Sequence, residues 1–290
     1  MTIVVTGATG HLGRHVVAQL LEKVPAGQIT AVVRDPAKAA DLAERGVRLA
    51  VADYNVPETF DGLFTAGDKV LLISGNEFDK GRVAQHTVVV DAARVAGVAL
   101  LAYTSAPGSL TAALADDHRA TERVVRASGV PYVLLRNGWY HENYTENLAP
   151  VLAHGSVVAA AGDGRITSAA RADYAAAAVA VLTGEGHENT VYELFGDTAW
   201  SLTEYAAEVG RRSGREIGYA HVSPDALVAM LTGAGVPEPF AAILAGVDVS
   251  IEKGELAGGG TDLSRLAGRP TTPLTEAVGK GLAALDALKD

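Results

Sequence analysis

The sequence predicts an α/β protein built on a doubly wound parallel sheet, and three observations predict it. Short β-branched runs alternate with helical patterns along the first two thirds of the chain, the signature of βαβ units. Those runs are apolar with little alternation, as strands covered on both faces are. The first run passes through a set of glycines straight into the first helical pattern.

In chain order, strands are expected at Ile3–Thr6, Gln28–Arg34, Val47–Ala52, Lys69–Ser74, Ala99–Thr104, Tyr132–Arg136 and Val191–Phe195. Helices are expected between them, near His11–Lys23, Pro36–Arg45, Gly81–Ala96, Ala112–Ser128 and Ala172–Thr183. After about Trp139 strands become sparse, and Gly, Pro and short helical pieces take over. Residues 1–137 with roughly 172–199 are therefore expected to form the sheet domain, and 138–171 with 200–290 a smaller lobe. The last helix is expected to start at Thr272-Pro273, since Thr can cap and Pro suits a first turn. Gly258-Gly259-Gly260 reads as a flexible loop, because no strand precedes it to make a phosphate site.

The chain has 290 residues, 48% hydrophobic, with a net charge of −10 and no cysteine. That is ample for a core. The acidic balance disfavours nucleic acid as a partner. The missing cysteine excludes disulfides, thiolate catalysis and cysteine-bound metals. Met1–Thr6 is too short an apolar run for a signal peptide, and no run reaches the ~18 apolar residues of a membrane span. A cytoplasmic protein without membrane contact is expected. A homodimer is compatible with the habits of the fold.

The glycine turn Gly7-Ala8-Thr9-Gly10-His11-Leu12-Gly13 is a weak signal by spacing alone. Its position, ending a strand and opening a helix, is what a dinucleotide needs: a tight turn, close approach of backbone to pyrophosphate, and free helix N–H groups facing the phosphates. At the end of the second strand stands Arg34, followed by Asp35-Pro36. A guanidinium there can grip a 2′-phosphate through two parallel hydrogen bonds, with Lys38 assisting, which favours NADP. The alternative is that Asp35 takes a ribose 2′-hydroxyl and Arg34 is a solvated strand end. Later strand ends belong to the same crevice. Asp53-Tyr54 would meet the adenine, Ser74-Gly75-Asn76 the ribose and pyrophosphate, and Thr104-Ser105 the nicotinamide end.

The helix after the fifth strand carries His118 and Glu122 on one face. No Tyr-x-x-x-Lys occurs there or elsewhere in the chain, so alcohol–ketone chemistry with a tyrosinate base is not expected. His118 is the candidate catalytic proton donor; the other reading is a packing residue paired with Glu122 or Asp117. An acceptor that needs no enzymic base, such as a quinone, suits the site better.

Val5-Thr6-Gly7-Ala8-Thr9-Gly10-x-Leu12-Gly13, Val32-Val33-Arg34-x-Pro36-x-Lys38, Ala102-Tyr103-Thr104-Ser105, Leu135–Tyr140 with Glu142-Asn143-Tyr144, Ala161–Gly164 and Arg171–Ala175 together resemble the NmrA-like branch of the atypical short-chain dehydrogenases, and within it the quinone-reductase and triarylmethane-dye-reductase groups. The resemblance runs over essentially the whole chain. It implies a Rossmann-type sheet, NADPH as cofactor, no metal and no flavin, and a small quinone as hydride acceptor. It implies that Gly7 to Leu12 hold the pyrophosphate and Arg34 the 2′-phosphate. Gly138, Trp139, Tyr140, His141, Glu142 and Asn143 would form the loop over the nicotinamide, with Arg171 reaching in from the far side. Asn137, Trp139 and Tyr140 would border the acceptor pocket, although Trp139 and Tyr140 read equally well as an aromatic clamp between lobes. Two rivals stay open: reduction of a cationic dye, aided by an acidic edge from Asp116, Asp117 or Glu142, and a non-catalytic NADP(H)-sensing regulator.

Overall fold

The computed structural model describes residues 1–76 and 81–287. Its centre is a seven-stranded, wholly parallel sheet made by β1 (Ile3–Val5), β2 (Ile29–Val33), β3 (Arg48–Val51), β4 (Lys69–Leu72), β5 (Leu100–Ser105), β6 (Tyr132–Asn137) and, after two short strands β7 (Ser156–Ala159) and β8 (Arg165–Ile166), β9 (Thr190–Leu194). The order is β3-β2-β1-β4-β5-β6-β9. The chain therefore reverses direction across the sheet between β1 and β4, and at that switch point the strand ends leave a crevice.

Successive side chains of each strand point to opposite faces, and both faces are dry. Ile3, Val5, Ala31, Val33, Leu71 and Leu135 pack with α1 (His11–Leu20) on one side. Val4, Val32, Val70, Leu72, Leu101 and Leu134 pack on the other. Apolar residues at both parities remove the alternation that a half-exposed strand would show. After α1, a short α2 (Ala40–Glu44) and α3 (Arg82–Ala96) follow in order, then α4 (Leu114–Ala127), α5 (Glu142–Thr145), α6 (Leu148–His154) and α7 (Arg171–Thr183). The first face is closed by α7 through Tyr174, Ala178 and Leu182. The second is closed by α3 and α4 through Val89, Val90, Ala93 and Val125.

The remaining elements are β10 (Trp200–Ser201), α8 (Leu202–Ser213), β11 (Gly218–His221), α9 (Pro224–Gly233), α10 (Glu238–Glu252), α11 (Asp262–Ala267) and α12 (Leu274–Ala287). β10, α8, β11, α10 and α12 meet in a third apolar cluster containing Leu148, Val157, Ile166, Trp200, Tyr205, Val247, Ile251 and Val278, whereas α9 packs Leu227 into a small separate cluster and α11 packs Leu263 beneath the sheet. β7 pairs in parallel with β11, and β8 antiparallel with β10. These short pairs escape the sequence pattern because they alternate or are exposed: β11 buries almost nothing. Among the described residues no helix is long and apolar enough to cross a membrane.

One local expectation needs correction, and the Gly258–Gly260 segment, a loop as expected, has a packing role at its first glycine. The Thr272 hydroxyl does not cap the last helix; it donates to Asp173 Oδ1 at 3.1 Å, while its amide donates to Asp173 Oδ2. Gly258 is a packing glycine: a Cβ there would stand 2.2 Å from Phe195 Cζ, so the ring itself demands the missing side chain.

Candidate active site

A cleft of about 620 Å³ opens at the switch point, and the carboxyl ends of β1, β2, β4, β5 and β6 all contribute to its wall. At its centre is the turn from β1 into α1. Gly7 has φ +60°, which glycine adopts without strain. At Gly13 a Cβ would stand 2.2 Å from the Gly7 carbonyl oxygen and 2.8 Å from Ala8 Cα. Strand and helix are thus as close as a bare backbone allows. No side chain caps α1, and its first turn carries no acid. The leading amides have no carbonyl one turn back to bond, and the residues bearing them, His11, Leu12 and Gly13, line the cleft. The turn is an anion cradle by construction.

Arg34, Asp35 and Lys38 form one end of the cleft. The Asp35 carboxylate accepts the Ala37 N–H at 3.0 Å, capping its own short 3-10 turn. That bond engages one of the two carboxylate oxygens and leaves the guanidinium of Arg34 as the cation at the strand end. Arg14 ties α1 to this turn: it donates to Asp41 Oδ2 at 2.6 Å and to the Lys38 carbonyl. The Arg14 hydrogen bond holds the Asp41 carboxyl below its ordinary value.

The middle of the cleft is lined by Tyr54, Ser74, Gly75, Asn76, Thr104 and Ser105. The Tyr54 hydroxyl bonds Thr6 Oγ1 and the Ile73 carbonyl, and burial raises its pKa. Ser105 donates to Glu122 Oε1 at 2.6 Å, and Arg136 grips the same carboxylate with two bonds of 2.8 and 2.7 Å. Burial pushes the Glu122 carboxyl up, but the bonds from Arg136 and Ser105 outweigh it, and its pKa lies below the ordinary value. Glu122 is therefore a fixed anion and not a proton source.

The far end mixes apolar Ala106, Pro107, Leu110 and Trp139 with Asn137, Gly138, Tyr140, Arg82, His118 and Arg171. The Arg171 guanidinium lies 5.3 Å from the Tyr140 ring centre and bonds Glu146 at 2.5 Å. Asn137 Nδ2 donates to Tyr140 Oη at 3.2 Å. Its Oδ1 is buried with no protein partner.

Several expected residues lie elsewhere. Ala8 is fully buried beneath the turn. The Asp53 carboxylate folds back onto the Asn55 amide at 2.9 Å. His141 is wedged between the Thr272 carbonyl and Ser168 Oγ, at 2.9 and 2.8 Å. Glu142 accepts the Arg171 N–H at the start of α7. The Asn143 amide donates to the Tyr140 carbonyl within the next turn. None of these five lines the cleft; they shape the residues that do.

His118 reaches the wall, with partners that sequence spacing did not suggest. Arg82 Nη2 lies 3.0 Å from Nε2, and Tyr103 Oη 2.8 Å from Nδ1. A guanidinium only donates, so Nε2 accepts and Nδ1–H points at Tyr103. Burial, reinforced by Arg82, drives the His118 pKa well below its ordinary value. The ring is neutral and both nitrogens are engaged within the protein, which argues for the packing reading over the proton donor, with Arg82 and Tyr103 in place of Glu122 and Asp117. Arg82 and Leu110 were not anticipated; the Arg82–His86 spacing of one helical turn was the available sign. Among the described residues no group of three or more His, Asp or Glu is placed to hold a metal ion.

Comparison with known proteins agrees with this geometry. A profile of NAD(P)H-binding proteins matches residues 7–185. Quinone oxidoreductase 2 of Escherichia coli is 46% identical over 278 residues, 95% of this chain and 97% of its own. The crystal structure of an NADPH-dependent quinone oxidoreductase from the same organism, complexed with NADPH, superposes with a TM-score of 0.93, covering 96% of this chain and 99% of that one. Triphenylmethane reductase of Citrobacter sp., complexed with NADP(H), is 42% identical with a TM-score of 0.92, covering 97% of this chain and all of its own.

Proposed function

The chain belongs to the NAD(P)H-binding, NmrA-like family, and from that premise we propose that it is an NADPH-dependent oxidoreductase whose acceptor is a small quinone. The observation that carries this reading is one cleft that joins an amide cradle and a basic end to a far end where apolar Pro107, Leu110 and Trp139 stand beside a few polar groups. The residues fit the dinucleotide: Gly13 leaves room for nothing but backbone, and Asn137 Oδ1 is buried with no protein partner. The amides of His11, Leu12 and Gly13, at the end of the Gly7–Gly13 turn, would hold the diphosphate. Arg34, with Lys38, would hold the 2′-phosphate, and Tyr54, Ser74–Asn76, Thr104 and Ser105 would line the path between. Gly138, Trp139, Tyr140 and Arg171 would border the nicotinamide.

The nicotinamide supplies the hydride. The protein's share is to hold a flat acceptor against it and keep water out, with Leu110, Pro107 and Trp139 as apolar walls and Asn137 and Tyr140 as orienting groups. His118 keeps its only proton on Tyr103, so the one proton that the hydride leaves to be added comes from solvent. Among the described residues, none of the three acids that would favour a cationic dye, Asp116, Asp117 and Glu142, lines the cleft. Asp116 bonds Arg119 at 2.5 Å, Asp117 lies 3.9 Å from Arg82, and Glu142 serves Arg171. This favours a neutral quinone over a cationic dye. NADPH oxidation measured with a panel of quinones and triarylmethane dyes tests the reading. Turnover with quinones is expected; none with any quinone, despite tight NADPH binding, refutes it and favours a sensing role.

The division of the chain at about residues 137, 172 and 199 belongs to the same proposal and is supported by the separate third cluster. Exceptions cross the division in both directions: Leu263 of α11 and Ala169 pack into the core beneath the sheet, and Leu110 and Ala115 pack into the third cluster. A cytoplasmic location and a homodimer also belong to the proposal; sedimentation reads the latter.

A further inference from the structure

The Ser74–Gly75 peptide is held from behind. The Gly75 N–H donates to His86 Nε2 at 2.9 Å, and the Ser74 N–H donates to Thr104 Oγ1 at 2.9 Å. Ser74 and Gly75 line the cleft, whereas His86, on α3, is wholly buried and does not. The Gly75 N–H therefore points out of the cleft. In a trans peptide the carbonyl points opposite to the N–H, so the Ser74 C=O points in.

The anchor is fixed in its hydrogen pattern. An amide only donates, so His86 Nε2 accepts and the ring proton sits on Nδ1, 2.9 Å from Thr121 Oγ1. The ring packs 5.4 Å from Tyr103, which in turn bonds His118 and through it Arg82. Burial, with Arg82 adding to it, pushes the His86 pKa down to about 3, so the accepting nitrogen stays bare at neutral pH. A Cβ at residue 75 would meet Gln85 Oε1 at 3.2 Å and His86 Nε2 at 3.8 Å, so glycine permits this approach.

We propose that His86 is a positioning residue that turns the Ser74 carbonyl into the cleft, where it accepts a hydrogen bond from a hydroxyl or amide group of the dinucleotide. This rests on the nucleotide reading above. It concerns a part that NADPH and NADH share, so it differs from the role of Arg34.

The test compares His86→Leu with His86→Gln, whose amide can both accept from Gly75 and donate to Thr121. The parent protein is titrated first; failure to bind either cofactor refutes the function itself. With binding established, His86→Leu is expected to weaken NADPH and NADH alike, by about tenfold, raising KM with little change in kcat. His86→Gln is expected to recover most of that loss. Unchanged binding in His86→Leu, equal loss in both variants, or loss confined to NADPH overturns the proposal. Should the leucine variant fail to fold, nitrogen-15 spectra of the parent decide: an Nδ1-protonated His86 ring supports it and an Nε2-protonated ring overturns it.

Discussion

Replacing Arg34 by alanine separates the two nicotinamide cofactors, and the structure sets the size of the effect. Arg34 lies in the cleft wall with Lys38, while Asp35 is committed to the Ala37 amide. Losing one charged hydrogen-bonded partner costs about 1.5–3 kcal/mol, which is roughly 10- to 150-fold in affinity. Lys38 remains as a point charge at the same end, held by the Arg14 bond to its carbonyl. The expected loss for NADPH therefore lies toward the lower part of that range, about 10- to 30-fold. NADH has no 2′-phosphate and should change by less than about twofold. Calorimetric titration of both cofactors against parent and Arg34→Ala measures the ratio directly. Equal loss for both would place Arg34 outside the 2′-phosphate site and refute the reasoning.

Two further perturbations probe the frame and its charges. Gly13→Ala forces a Cβ into the 2.2 Å gap before the Gly7 carbonyl; it should lower thermal stability by the ~1–3 kcal/mol of overpacking and reduce NADPH affinity at least about tenfold, and a variant with parental melting and binding would show that helix and strand are not so tightly held. His86 is buried neutral at a folded pKa of about 3, below its unfolded value of about 6.5. Its contribution is complete above pH 6.5 and falls by about 1.4 kcal/mol per unit as the pH drops toward 3, because only the unfolded chain takes up the proton. His118 acts in the same direction. Asp248, raised to about 6 mainly by burial, works oppositely below that pH. Urea melts at pH 7 and 5 should therefore show the stability of the parent falling relative to His86→Gln by about 2 kcal/mol; parallel pH profiles would count against a neutral buried ring.

The sequence by itself determined the parallel sheet, the strand–glycine–helix turn and the basic end of β2. Each is written in neighbouring residues: β-branched runs carry the strands, and Gly7, Gly10 and Gly13 are spaced as the turn requires. A capping box is equally legible at the start of α8, where Ser201 and Glu204 bond each other's amides. What His118 does was not legible. Its spacing to Glu122 describes a helix face, whereas its bonds run to Arg82 on α3 and Tyr103 on β5. The same holds for His141, whose partners Ser168 and Thr272 are far away in the chain, and for His86 behind Gly75. Backbone geometry follows from local sterics and periodicity, so a sequence displays it. The proton position on a buried ring is set by which donors and acceptors meet it across the core, and only the packing of distant segments decides that.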